Sequence, residues 1–327
     1  MCVSEEDDSP AVYRIDFSVD WPPGHAAAYL IDGDEPILVD AGMVGETGTE
    51  ELHDGLDAHG FGVSEIDHLL LTHPHADHVG QVEAVLEADP TVYAPVGIRD
   101  EFAREIDTVE ANTRRNLRAA GVPTERLDEA VERLLWGHRT NRGGHPLDAG
   151  DNWIDADSPV WIGSREFDPI YTPGHQRSHF CYGTEIGGEE VVFSGDMVVQ
   201  PFRAAAIHAN FDDGVEDGVT AFYEAFERLE SRSFDRVYPG HGPAHTEFET
   251  TLAESIADLD DRVEQTLADL ARLGEGTTAL VLADAQSDSE SGRARLLPEI
   301  VGVLSMLESE GKVRSWLDGD VRRFERC

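Results

Sequence analysis

Six consecutive residues constrain this chain more than anything else in it. His73-Pro74-His75-Ala76-Asp77-His78 puts three imidazoles and a carboxylate into one short stretch. The run His68-Leu69-Leu70-Leu71 before it reads as a buried strand, and Val79, Val82, Val85 and Leu86 after it fit one helix face. The polar group therefore sits in a loop at a strand's carboxyl end, where the backbone can aim the side chains together. Crowding them costs desolvation, which a bound cation offsets; neutral imidazole and carboxylate are the donors that zinc and similar divalent ions prefer. His73 and His75, two apart, can converge on one ion, and Asp77 and His78 can turn to a second.

The surrounding pattern is α/β. Strands are predicted over 11–17, 26–31 and 36–40, the last ending in Asp40-Ala41-Gly42, followed by a helix over 50–59 closed by Gly60. After the histidine loop and its helix comes a strand over 91–94. Residues of about 99–147 change character. Phe102, Ile106, Val109, Thr113 and Leu117 predict one amphipathic helix, and Leu127, Val131, Leu134 and Leu135 a second, opened by Pro123-Thr124. This stretch reads as a helical insertion lying over the first half of the sheet. Its arginines, Arg114, Arg115, Arg118, Arg139 and Arg142, either pair with neighbouring carboxylates or form a lid that catches an anionic ligand.

Strands return over 159–162, 169–172, 180–186 and 190–194, and a helix over 219–229 precedes a strand over 235–238. Beyond His245 the pattern becomes helical. Thr251 to Glu254 has the form of a capping box, and Leu252, Ile256, Leu259, Val263, Leu267 and Leu270 make one stripe. Leu297, Ile300, Val301, Leu304 and Leu307 mark another helix, and 313–317 with 321–324 flank Asp318-Gly319-Asp320 as a hairpin. Helices followed by a terminal hairpin suggest a small winged-helix module.

Charge speaks of habitat more than of substrate. There are 25 basic and 66 acidic residues, a net charge of −41, and Lys312 is the only lysine. Acidity spread over every segment points to adaptation to high salt, where a Debye length of about 3 Å lets such a surface accept an anionic ligand. Cys2, Cys181 and Cys327 have no paired spacing, which argues against a disulfide framework or a cysteine metal site. The acidic start lacks the apolar stretch of a signal peptide, and no run is long enough to span a membrane, so a soluble cytoplasmic protein is expected.

Three more strand ends carry metal-seeking side chains: Thr172-Pro173-Gly174-His175, Phe193-Ser194-Gly195-Asp196 and Tyr238-Pro239-Gly240-His241. With Asp40 and the loop from His73 to His78, this order resembles the metallo-β-lactamase-fold hydrolases. Their pattern is an early Asp, a His-x-His-x-Asp-His loop, a later His, an Asp and a final His. The fold implied is a four-layer αβ/βα sandwich over residues 1–248 with its site along one edge. The tail, residues 249–327, resembles the winged-helix extension of a glyoxalase II-like and endoribonuclease-like branch.

By that resemblance His73, His75 and His175 hold one divalent ion, Asp77, His78 and His241 hold the other, and Asp196 bridges them. Zinc is expected, with iron or manganese also accommodated. Two ions about 3.5–4 Å apart would turn a bridging water into the nucleophile and polarise the scissile group. Asp77, besides its place among the ligands, is expected to take part in the chemistry together with Asp40 and His179. Asp40 would lie behind a ligating imidazole and fix its tautomer; His179 would either lie near the substrate, to move a proton or orient the leaving group, or be a hydrogen-bonded core histidine. His25, His53, His59, His68, His138, His145, His208 and His245 lack any supporting pattern and are expected not to be ligands.

Departures from relatives narrow the activity. Asp196 differs from the Cys or Ser of true β-lactamases, His75 from the Glu of flavodiiron oxygen reductases, and the full ligand set from the single-iron persulfide dioxygenases. A small-molecule thioester or related acyl ester is the expected substrate, as in hydroxyacylglutathione hydrolases. The alternative is a phosphodiester in RNA, for which Arg314, Arg322, Arg323 and Arg326 in the hairpin would meet phosphates. A non-catalytic regulator that uses the winged helix on DNA is the remaining alternative.

Overall fold

The computed structural model describes residues 11–143, 152–156 and 158–327. Gly144 and His145, and the side chain of Arg142, lie outside the described residues.

The first sheet is assembled in chain order: β1 (Val12–Ser18), β2 (His25–Ile31), β3 (Ile37–Val39), β4 (His68–Leu70), β5 (Thr91–Pro95) and β6 (Asn152–Ile154). The pairs β1–β2 and β2–β3 are antiparallel; from β3 to β6 the strands are parallel. Side-chain alternation explains why β2 is apolar on both faces. Ala26, Ala28 and Leu30 join the cluster that covers α1 (Glu46–Asp57) and α2 (Val82–Leu86), while Ala27, Tyr29 and Ile31 face the second sheet.

That second sheet has the order β11-β10-β9-β8-β7, from β7 (Val160–Ile162), β8 (Arg165–Tyr171), β9 (Phe180–Ile186), β10 (Glu189–Gly195) and β11 (Arg236–Pro239). Phe167, Phe180, Tyr182 and Phe193 fill the space between the sheets. Its outer face packs on α6 (Gly218–Glu230), whose Phe222 and Phe226 are buried. The result is helix, sheet, sheet, helix, the expected four-layer arrangement.

Between β5 and β6 lie α3 (Val96–Phe102), α4 (Ile106–Ala119) and α5 (Thr124–Gly143). After β11 come α7 (Phe248–Leu273), α8 (Ala279–Gln286), α9 (Glu290–Ser309) and the hairpin β12 (Val313–Asp318) with β13 (Val321–Arg326). Leu252, Leu282, Ile300 and Leu304 of this tail share one continuous core with Phe222. Among the described residues no helix is long and apolar enough to cross a membrane.

Several expectations need correction. The single helix expected through Phe102 and Leu117 is two, because Phe102 packs on the first-sheet core whereas Ile106 and Val109 belong to the core of the second sheet. The insertion accordingly lies against the tail rather than over the first half of the sheet. Leu280 N donates to Ala120 O, and Arg126 pairs with Glu290. Among the described residues, arginines of the insertion meet carboxylates, as the first alternative has it: Arg114 pairs with Glu110 and Asp128, Arg115 with Asp213, and Arg139 with Glu132. The capping-box pattern at Thr251 falls inside α7, which starts at Phe248 because that ring is buried against Phe234. The short elements β6 and α8 escape the sequence reading, although Thr278 caps α8 as a Thr can be expected to.

Phe222 is fully buried where α6 meets both the second sheet and the tail. Phe222→Ala is expected to cost about 3–5 kcal/mol, read as a lower midpoint in urea unfolding.

Candidate metal centre

Strand register gathers the site. Pairing of Val39 with Leu70 brings β3 and β4 to an end together, so that Asp40 N donates to Leu70 O at 2.8 Å and Asp40 lies beside the histidine loop. On the other sheet the parallel pair β10–β11 sets Gly195 opposite Pro239, which puts Asp196 near His241. The β8 strand runs in the same direction as β10, with β9 antiparallel between them, and delivers His175 to the same edge. The two sheets are tied there by backbone: Phe180 N donates to Thr72 O, and Ala27 N to Gly240 O at 2.8 Å. Gly240 has to be glycine, since a Cβ would stand 2.4 Å from His78 Cε1 and 2.8 Å from Asp196 Oδ1.

Two groups of donors result. His73, His75, His175 and Asp196 form one, and Asp77, His78 and His241 the other; within each, the donor atoms lie within 4.8 Å of one another. His75 Nδ1 is 3.1 Å from His73 Nε2 and 3.0 Å from His175 Nε2. The carboxylate of Asp196 lies between the groups. Its Oδ2 is 3.1 Å from His175 Nε2 and 3.3 Å from His241 Nε2, and its Oδ1 is 3.1 Å from His78 Nε2. Asp77 Oδ2 stands 3.5 Å from His241 Nε2. All seven predicted ligands therefore converge, and among the described residues none of the histidines set aside joins them.

Hydrogen bonds behind the ligands fix the tautomers. Asp40 accepts from Thr72 N and Thr72 Oγ1, each at 2.8 Å, and its Oδ2 lies 2.8 Å from His78 Nδ1, which must donate to it. Because the Thr72 hydroxyl gives its proton to Asp40, it accepts from His73 Nδ1 at 2.9 Å. His175 Nδ1 donates to Ala205 O at 2.9 Å and His241 Nδ1 to His25 O at 2.6 Å. Four imidazoles thus turn bare Nε2 lone pairs inward, as ligating histidines do. Asp40 stands behind His78. Thr72 and the carbonyls of His25 and Ala205 were not foreseen, although Thr72 directly precedes the loop.

The pairing of lone pairs is the test of fit for a metal. His78 Nε2 and Asp196 Oδ1 are buried, face each other, and have no hydrogen-bond partner. Two acceptors in that position need a cation, and imidazole with carboxylate is a donor set suited to divalent metal ions.

Without a metal, protons take the place of the cation: against its burial, Asp196 and then Asp40 lift His78 well above its usual range. Burial, then the neighbouring imidazole of His78, hold His73 well below its usual range; burial, then His175, do the same to His75. For His241, burial pulls down but the carboxylate of Asp196 prevails and lifts it to about 9. Asp196 is held well below the usual carboxylate range, against its burial, by His241, His78 and His175.

His179 lies where the core alternative puts it. Rather than facing the substrate it is fully buried, with Nδ1 on Thr172 Oγ1 at 2.8 Å and Nε2 accepting from Asp196 N at 3.0 Å. With both nitrogens engaged it orients the Asp196 backbone instead of shuttling a proton. Burial, then His175, push it down to about 3.

A cavity of about 910 Å³ opens over the centre, walled by Trp21, Phe202, Phe211 and Leu296 and reaching His75, His175 and Asp196. His138 and His208, expected not to be ligands, line it without joining either donor group.

Two measurements check this geometry. Asp40→Ala is expected to weaken metal binding about 10–100-fold, read by competition with a chromophoric chelator. In metal-free protein His179 stays neutral down to about pH 3, whereas its unfolded counterpart takes a proton below about 6.5. The unfolded state then binds more protons, so stability falls as pH drops from about 6.5 towards 3. Urea midpoints across that range should fall less steeply in His179→Gln.

Comparison with known proteins agrees with the geometry. A family model described as the metallo-beta-lactamase superfamily matches residues 21–241. The probable metallo-hydrolase YqjP of Bacillus subtilis is 22% identical over 319 residues, which is 92% of this chain and 93% of that protein. An atrochrysone carboxyl ACP thioesterase of Emericella nidulans is 29% identical over 160 residues, 47% of this chain; the chain spans about half of that relative's length, 48%. In fold, a metallo-beta-lactamase family protein of Thermus thermophilus superposes with a TM-score of 0.79 at 21% identity, covering 97% of this chain and 98% of the other. The converging donors and the matched segment lead to one conclusion: this chain belongs to the metallo-β-lactamase superfamily.

Proposed function

We propose that the protein is a two-metal hydrolase of thioesters or closely related acyl esters. The observation that carries this is the shared carboxylate of Asp196 between two donor groups, on the wall of a cavity with apolar sides. A pair of divalent cations held there would supply an activated water and polarise the scissile carbonyl. Zinc suits the donor set best. The chain's own residues hold and orient: Asp40, Thr72 and the carbonyls of His25 and Ala205 fix the imidazoles, and His179 fixes Asp196. The apolar walls made by Trp21, Phe202 and Phe211 would exclude bulk water and seat an acyl group. A thiolate leaves without being protonated, so the engagement of His179 behind Asp196 is no obstacle.

The thioesterase name of the Emericella nidulans relative supports this substrate class. The charge pattern favours it over RNA. In the hairpin Arg314 pairs with Glu325, Arg322 with Glu216 and Glu308, and Arg323 with Asp318, so these cations are occupied by the chain's own carboxylates. The tail is read as a packing element of winged-helix type, in a cytoplasmic enzyme of a salt-adapted cell.

Zinc-loaded protein in molar salt should hydrolyse members of an acyl-thioester panel, with thiol release followed by a disulfide reagent. Asp196→Ala should lower the rate at least a hundredfold. Cleavage of labelled RNA with no thioester turnover would replace this reading with the phosphodiesterase one.

A further inference from the structure

Four of the five ligating histidines are oriented from behind, and for three of them the support comes from within the residues matched by the family model. Asp40 holds His78, Thr72 holds His73 and the carbonyl of His25 holds His241. His175 differs in what stands behind its support. Its Nδ1 donates to Ala205 O, which also accepts from Ile207 N at 2.9 Å, and this carbonyl belongs to a loop outside the sheets whose His208 bridges to Gln176 and donates through its N to His175 O at 2.8 Å. Beyond that bridge, the peptide carrying the Ala205 carbonyl is held by Glu299, far along α9 and outside the matched segment.

Glu299 is 2% exposed and its carboxylate is fully engaged. Oε2 accepts from Ala206 N at 2.8 Å and from Arg203 Nη1 at 3.0 Å, and Oε1 accepts from Arg203 Nη2 at 2.9 Å. Arg262 of α7 stands 3.3 Å from Oε1. Against its burial, Arg203 holds the carboxyl below the usual range, so it is charged. Arg203 is itself fixed by Asp258 of α7 at 2.8 Å. A two-pronged ion pair therefore grips the residues on both sides of Ala205, and the bond to the Ala206 amide aims the peptide that carries the Ala205 carbonyl.

We infer that Glu299 is a positioning residue for the metal centre: through Ala206 and Arg203 it aims the Ala205 carbonyl that orients His175, so that the tail tunes the ion held by His73, His75 and His175. The ion held by Asp77, His78 and His241 has no such support from the tail, since its imidazoles are held by Asp40 and His25. The inference rests on the two-metal reading. It assigns to residues beyond the matched segment a part in the chemistry, separate from their share of the apolar core.

Cobalt titration followed by ligand-field absorption tests this without any turnover. A His241→Ala background isolates the first ion, and a His175→Ala background the second. Glu299→Gln is expected to weaken Co2+ binding about tenfold in the first background and to leave it unchanged in the second. Equal loss in both, or loss in neither, overturns the inference. Because Glu299→Gln strands the buried charge of Arg203, the pair Arg203→Met with Glu299→Leu serves as a second variant; exchanging a buried ion pair for apolar groups is often neutral for stability. The paired variant should show the same one-sided weakening, and wild-type affinity in it would overturn the inference as well. Glu308→Gln, which breaks tail contacts to Ser315 and Arg322, should change neither background. Wild-type protein that takes up two ions with no effect of Glu299→Gln sinks this inference alone. Wild-type protein that takes up no cobalt sinks the two-metal reading and the inference with it.

Discussion

A buried carboxylate facing four imidazole nitrogens is the interaction around which the molecule is built. Asp196 lies within 3.3 Å of His78, His175 and His241, and its Oδ1 and the Nε2 of His78 have no hydrogen-bond partner. Unpaired acceptors so placed are costly, and the cost is tolerable only where a cation joins them. Everything nearby serves to keep those lone pairs pointing inward. The Thr72–Asp40 pair orders two tautomers at once, because one hydroxyl proton cannot be given both to Asp40 and to His73.

The sheets make that arrangement possible by bringing strand ends together. Parallel pairing of β3 with β4 and of β10 with β11 places Asp40 beside the histidine loop and Asp196 beside His241. Tyr29 and Tyr182 then stitch the two sheets at the same edge, through bonds to Pro239 O and Leu71 O. Small residues are required where the backbones close in. At Gly195, φ is +48° and a Cβ would stand 2.6 Å from His179 Nε2.

The outer parts of the molecule have a less independent character than their sequences suggest. The insertion and the tail contribute to one apolar core with α6, and their arginines are spent on each other's carboxylates. On a chain with a net charge of −41, most guanidinium groups meet an acidic partner before they can meet a ligand. The buried pair of Arg203 and Glu299 links the tail to His175 through two hydrogen bonds and one peptide.

The sequence by itself pointed to the donor residues that converge, the strand ends that bear them and the α/β pattern, because those show in local spacing and in the order of donors along the chain: alternation in strands, apolar stripes in helices, and metal-seeking side chains crowded into turns. Asp40 was legible for the same reason, as a carboxylate ending a strand beside the loop. Only the tertiary structure decided where the insertion lies, why the helix through Phe102 breaks, that His179 faces inward, and that the Ala205 carbonyl stands behind His175. Each of these depends on groups from different elements meeting in the core, and a backbone carbonyl or a shared apolar contact leaves no mark on the residue types at either end.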